Sequence, residues 1–189
     1  MVALVEALRA RAGLAEPVLV LSNVAEAPGL ARARALGVPT AVVDSRAVRP
    51  RAVHERKVIE VLRERSVELV CLAGYMRLLS AQFLAAFPGR ILNVHPSLLP
   101  AFPGMHAQRQ ALEHGVRVAG CTVHFVDEEC DAGPIVLQAA VPVLDGDTED
   151  TLAARILEQE HRIYPEAVEL WATGRLLIED RRVRIRPAG

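Results

Sequence analysis

Asn93 and His95 stand two positions apart at the end of an apolar run, Ile91-Leu92-Asn93-Val94-His95, and Pro96 follows at once. In a strand, that spacing puts both side chains on one face. The proline blocks continuation of the ladder and restrains His95 toward an extended conformation. A carboxamide donor and an imidazole so placed can serve one carbonyl, Asn93 stabilising an oxyanion and His95 moving a proton. The same pair can also act as a polar cap that satisfies backbone groups at a strand end. Local physics leaves both readings open.

Positioning these side chains requires a scaffold, and apolar periodicity supplies one. Residues 2–12 read as a helix ending near Gly13, Val18–Leu21 as a buried strand, and Pro28–Leu36 as a short helix with proline in its first turn. Ala41–Val43 reads as a strand, 50–65 as a longer helix, Leu69–Leu72 as a strand, 81–87 as a helix and Ile91–Val94 as a strand. Continuous apolar strands separated by helices predict an α/β domain with a doubly wound, mostly parallel sheet and helices on both faces. Such sheets bind ligands beyond the carboxyl ends of their strands, which is where Asn93 and His95 fall. After residue 115 the pattern alternates. Cys121–Val126 and Ile135–Val141, joined through Ala132-Gly133-Pro134, predict antiparallel strands added near the C-terminus. A helix over 148–173, interrupted or bent at Pro165, and a closing hairpin of Leu176–Ile178 with Val183–Ile185 complete a single domain over 1–189.

Composition narrows the function classes. The 189 residues fit one globular domain, and a net charge of −1 gives no basic excess to recommend nucleic acid or an anionic membrane. Aromatics at 4% argue against a stacking platform for single strands. Three cysteines, Cys71, Cys121 and Cys130, form no CxxC pair, so a reducing cytoplasm is the plain reading. No apolar run is long enough to span a bilayer, and the N-terminus carries Glu6 and Arg9 rather than a signal-peptide pattern. His95, His106, His114 and His124 match no metal-ligand spacing, so no metal is expected. His124, on an alternating strand, is either a hydrogen-bonded structural histidine or support for His95. The expected partners are small molecules, with a monomer or homodimer as the assembly.

Longer motifs sharpen the picture. Asn93-Val94-His95-Pro96-Ser97-Leu98-Leu99-Pro100, Pro103-Gly104-Met105-His106, Gln110-Ala111-Leu112 and Thr122-Val123-His124-Phe125-Val126-Asp127 together resemble the folate-dependent formyltransferases. Asp131-Ala132-Gly133-Pro134-Ile135, Leu72-Ala73-Gly74-Tyr75-Met76-Arg77-Leu78-Leu79-Ser80 and Gln159-Glu160-His161-Arg162-Ile163-Tyr164-Pro165 extend the resemblance across most of the chain. It implies transfer of a formyl group from 10-formyltetrahydrofolate to the amine of glycinamide ribonucleotide in purine biosynthesis. It also implies a catalytic triad of Asn93, His95 and Asp131, with Thr122 and His124 behind it. A folate slot would draw on Met76, Arg77, Leu78, Leu79 and Leu84 and on the backbone of Val126, Asp127 and Glu128. Arg51 would meet the nucleotide phosphate and Glu160 its ribose. By local sequence alone Asp131 is a turn residue, the leucines are ordinary core, and Arg51 belongs to a basic face with Arg46, Arg49 and Arg56.

One family feature has no counterpart. These enzymes open with a strand and a Ser-Gly-x-Gly-Ser-Asn loop that holds the phosphate at a helix N-terminus. Here Met1-Val2-Ala3-Leu4 aligns with the start of the following helix, so the first strand and phosphate loop are expected to be missing, with a true start upstream as the favoured explanation. Formyltetrahydrofolate deformylase, which passes the formyl group to water, is the nearest alternative. A folate-binding module inactive through loss of the phosphate loop is another. Methionyl-tRNA formyltransferase, which needs a basic C-terminal domain for tRNA, is not the expected reading of these 189 residues, and no Gly-x-Gly-x-x-Gly supports a nicotinamide enzyme.

Overall fold

The computed structural model describes residues 1–11, 13–75 and 77–187. Its chain divides into two units, Met1–Val70 with Leu79–Arg90, and Cys71–Leu78 with Ile91–Gly189.

The first unit carries helices α1 (Val2–Ala10), α2 (Pro28–Ala35), α3 (Arg51–Glu64) and α4 (Ala81–Ala86) and strands β1 (Val20–Ser22) and β2 (Thr40–Val42). Pro28 opens α2, where its missing amide is no loss. Ser80 caps α4 by accepting from the Phe83 amide at 3.3 Å. β1 and β2 are parallel, Val20 facing Thr40 in register. Val5 of α1 and Ala33 of α2 pack with Val38, and Met1, Val20 and Leu36 lie against them. Each short helix thereby buries the apolar side that the sequence spacing marks out.

The second unit is built on a mixed sheet ordered β3-β4-β5-β6-β8-β7, comprising β3 (Val70–Leu72), β4 (Ile91–His95), β5 (Val118–Phe125), β6 (Ile135–Pro142), β7 (Leu176–Glu179) and β8 (Arg182–Ile185). β4 with β5 and β5 with β6 are antiparallel, while β6 with β8 is parallel. α5 (Ala107–Glu113) and α6 (Glu149–Ala172) complete the unit. Antiparallel strands near the C-terminus are present as the alternation predicts. The sheet itself is not continuous: among the described residues β1 bonds only to β2, and the strands fall into two sheets. Apolar runs report that a strand is covered on both faces, not which strand lies beside it.

Three local features depart from the expected elements. α6 runs unbroken through Pro165. A proline there costs roughly 3 kcal/mol, but Ile163, Tyr164 and Val168 around it are buried, and each large apolar side chain returns roughly 1.5–3 kcal/mol. The Tyr164 hydroxyl lies 2.9 Å from both the Leu72 and the Leu92 carbonyl oxygens, tying this part of α6 to β3 and β4. α5 was not expected, because Ala107 and Ala111 are its only buried side chains and two alanines leave a weak periodic signal. The closing hairpin has a turn of just Asp180-Arg181, with Asp180 at φ +53°, so each strand gains a residue and Glu179 faces Arg182.

Candidate active site

β4 carries Asn93 and His95 on one face, and the antiparallel register sets His124 opposite Asn93 and Thr122 opposite His95. His95, Thr122 and His124 are buried. The chain leaving β5 loops through 126–134 and returns as β6. Gly133 makes that return possible, since a Cβ at this position would lie 1.9 Å from the Phe125 carbonyl oxygen. The Phe125 amide donates to the Pro134 carbonyl at 2.9 Å, closing the loop. Asp131, at φ +51°, takes the left-handed conformation that aspartate tolerates better than most residues. Its side chain reaches back to the two histidines, with Oδ2 3.4 Å from His95 Nδ1 and Oδ1 3.7 Å from His124 Nε2.

Proton placement follows from the partners. His124 Nδ1 lies 2.8 Å from the Phe125 carbonyl oxygen, so Nδ1 bears the proton and donates. Burial lowers its pKa below the ordinary imidazole value, outweighing the Phe125 carbonyl and Asp131. In that neutral ring Nε2 is an acceptor, and the Asn93 amide donates to it at 3.3 Å. The 3.7 Å approach to Asp131 is therefore no ion pair at neutral pH. His124 orients Asn93, whose carboxamide keeps a second hydrogen to direct elsewhere.

His95 has an acceptor at each nitrogen. Nε2 donates to the Phe102 carbonyl at 2.9 Å, and Nδ1 faces Asp131. The Gly104 amide donates to Asp131 Oδ2 at 2.8 Å, so the loop after Pro96 contributes one backbone acceptor and one backbone donor. Neither group has a side chain to announce it, and sequence reasoning missed both. Thr122, opposite His95 in the register, spends its hydroxyl on the loop: it donates to the Ser97 carbonyl at 2.7 Å and accepts from the Leu99 amide at 3.0 Å. Asn93, His95, Asp131 and His124 form one cluster of amide, imidazole and carboxylate, able to stabilise an oxyanion and hand a proton onward.

Comparison with known proteins decides the family. Residues 1–168 match the profile of the formyl transferase family. The chain belongs to that family. It is 47% identical over 161 residues to the phosphoribosylglycinamide formyltransferase of Escherichia coli K12, covering 85% of this chain and 76% of that protein. It is 51% identical over 172 residues, 91% of this chain, to the trifunctional purine biosynthetic protein adenosine-3 of Gallus gallus, of which that stretch makes up only 17%. The crystal structure of glycinamide ribonucleotide transformylase 1 from Symbiobacterium toebii superposes with a TM-score of 0.96 at 56% identity, covering 98% of this chain and 88% of that one.

The remaining residues singled out by sequence are distributed between the units. Arg77, Leu78, Val126, Asp127, Glu128 and Glu160 belong to the second, and Arg51, Leu79 and Leu84 to the first. Met76 lies outside the described residues. Arg77, Leu78 and Glu128 are exposed, whereas Leu79 is buried. The Val126 amide donates to the Ile91 carbonyl at 3.0 Å, so it is committed to the fold. Arg51 opens α3, and its Nε donates to the buried carboxylate of Glu55 at 2.9 Å. Burial raises the pKa of Glu160 above the ordinary carboxylate value. Among the described residues no group of three or more His, Cys, Asp or Glu is placed to hold a metal ion, and no helix is long and apolar enough to cross a membrane.

Proposed function

We propose that this chain transfers the formyl group of 10-formyltetrahydrofolate to the amine of glycinamide ribonucleotide, the acceptor that its relatives' names give for them. The observation that carries the reading is the meeting of Asn93, His95 and Asp131 at the end of β4, in a chain 47% identical to a phosphoribosylglycinamide formyltransferase.

The substrate amine attacks the formyl carbonyl, a C–N bond forms, and negative charge develops on the oxygen. The second hydrogen of the Asn93 amide and the His95 ring stabilise that charge more than they stabilise the planar formyl group. A proton leaves the amine and another reaches the folate N10 as its bond to the formyl carbon breaks. Asp131 holds a water for this relay, with its carboxylate fixed by the Gly104 amide. No metal takes part. Folate binding is assigned to Arg77, Leu78 and the backbone of 126–128, with Arg77 pairing to its glutamate carboxylates. Glu160 accepts from ribose hydroxyls. The chain works as a single formyltransferase-like domain, a monomer or homodimer, in the cytoplasm.

Formyl release from a 10-formyl folate analogue, measured with and without glycinamide ribonucleotide, tests the assignment. Transfer that requires the nucleotide supports it. Release without nucleotide makes the chain a deformylase, and binding of the analogue with no release under either condition makes it a folate-binding module. Arg51 is assigned to the nucleotide phosphate, so Arg51→Ala raises KM for the nucleotide and leaves KM for the folate unchanged. A change in folate KM instead removes Arg51 from that role.

A further inference from the structure

Residues 96–106 join β4 to α5, and their backbone supplies two of the contacts made by the reacting groups: the Phe102 carbonyl on His95 and the Gly104 amide on Asp131. Phe102 and His106, neither of them glycine, hold φ values of +53° and +59°. Such conformations persist only where surrounding contacts over-determine them.

The contacts converge on Leu99. Its amide donates to Thr122 Oγ1 at 3.0 Å, and its carbonyl accepts from Gln138 Nε2 at 2.9 Å. Gln138 Nε2 also donates to Thr122 Oγ1 at 3.0 Å. Thr122 sits opposite Gln138 in the β5–β6 register and donates its own proton to the Ser97 carbonyl. The threonine hydroxyl thus makes one donation and two acceptances, its full capacity, and both Gln138 amide hydrogens are used. Gln138 is the single polar side chain in an otherwise apolar strand, Ile135–Pro142, and it is exposed, so core packing does not account for it. Beyond the clamp, the Ser97 hydroxyl donates to the Ala101 carbonyl at 2.6 Å, carrying the constraint to the residue before Phe102.

We infer that Gln138 is a positioning residue for formyl transfer: with Thr122 it grips Leu99 on both backbone groups and so fixes the loop whose Phe102 carbonyl holds the His95 ring. The inference rests on the proposed role of His95. Gln138 touches no reacting atom and acts through the loop.

Gln138→Leu removes both donations at an exposed position. The expected result is a kcat lower by roughly tenfold to a hundredfold, the range a misplacement of about 1 Å produces, with both KM values little changed. A structural role alone would not move the second readout, the ¹⁵N-detected His95 Nε2–H resonance. In Gln138→Leu that signal shifts or broadens as its acceptor loosens. Gln138→Asn, which keeps a donor on a shorter arm, restores part of the rate and part of the signal. His95→Ala is measured alongside. If His95→Ala is inactive while Gln138→Leu keeps the parent kcat and an unmoved His95 resonance, the positioning role is overturned and the catalytic reading stands. If His95→Ala keeps the parent kcat, the reading falls and the inference falls with it.

Discussion

His95→Ala lowers kcat by about 10²–10⁴, the range general acid–base help supplies, and leaves folate binding nearly intact. The ring is buried, its Nε2 donates to the Phe102 carbonyl and its Nδ1 faces Asp131 at 3.4 Å, so its orientation is set before substrate arrives. Alanine removes the proton carrier but also leaves the Phe102 carbonyl and Asp131 Oδ2 without that partner. A buried polar group so abandoned costs about 1–3 kcal/mol, which would lower Tm as well. His95→Asn separates the two effects, because its carboxamide offers a donor toward Phe102 yet cannot cycle a proton near neutral pH. Steady-state kcat and folate KM for both variants, with Tm for each, are the measurements. Loss of kcat in both at near-parent Tm in the asparagine variant assigns the loss to chemistry. A parent-like kcat in either removes His95 from the mechanism.

Strand ends and spacing made half of this site legible. Asn93 and His95 sit on one face because a strand alternates, and Pro96 marks where the strand stops; both facts are local. Asp131 is different. It reaches the histidines because Gly133 lets the loop fold against Phe125, a contact set by geometry and invisible to periodicity. The Phe102 carbonyl and Gly104 amide carry no side-chain signal at all. Gln138 left a trace, one polar residue in an apolar strand, but the trace does not name its partners. The fold shows the same division. Amphipathic spacing found α1, α2, α3 and α6 to within a few residues. It could not find α5, whose buried face is two alanines, or the separation of β1 and β2 from the larger sheet. Pairing is a property of distant segments, whereas periodicity is a property of neighbours.

Gly133→Ala is expected to damage activity nearly as much as a change in the triad. The added Cβ would lie 1.9 Å from the Phe125 carbonyl oxygen and 2.9 Å from its carbon, both backbone atoms that cannot swing aside. Phe125 is held by its bond to Pro134 and Val126 by its bond to Ile91, so the strand resists and the 126–134 loop must shift. Overpacking of this kind costs about 1–3 kcal/mol, a fall of roughly 2–4 °C in Tm per kcal/mol for a chain this size. Asp131, two residues away, moves with the loop and loses its alignment to His95 and the Gly104 amide. Misplacement by about 1 Å lowers kcat by roughly 100-fold. Gly146→Ala serves as the control, since its added Cβ meets nothing within 4 Å. A Gly133→Ala enzyme with parent kcat and Tm would mean the loop has room that this close approach denies. The route of the effect is read from a double variant: residues acting through one another are not additive. If Gly133→Ala adds little to the loss already produced by Asp131→Asn, the glycine acts through the carboxylate it positions; if the losses multiply, it acts elsewhere in the site.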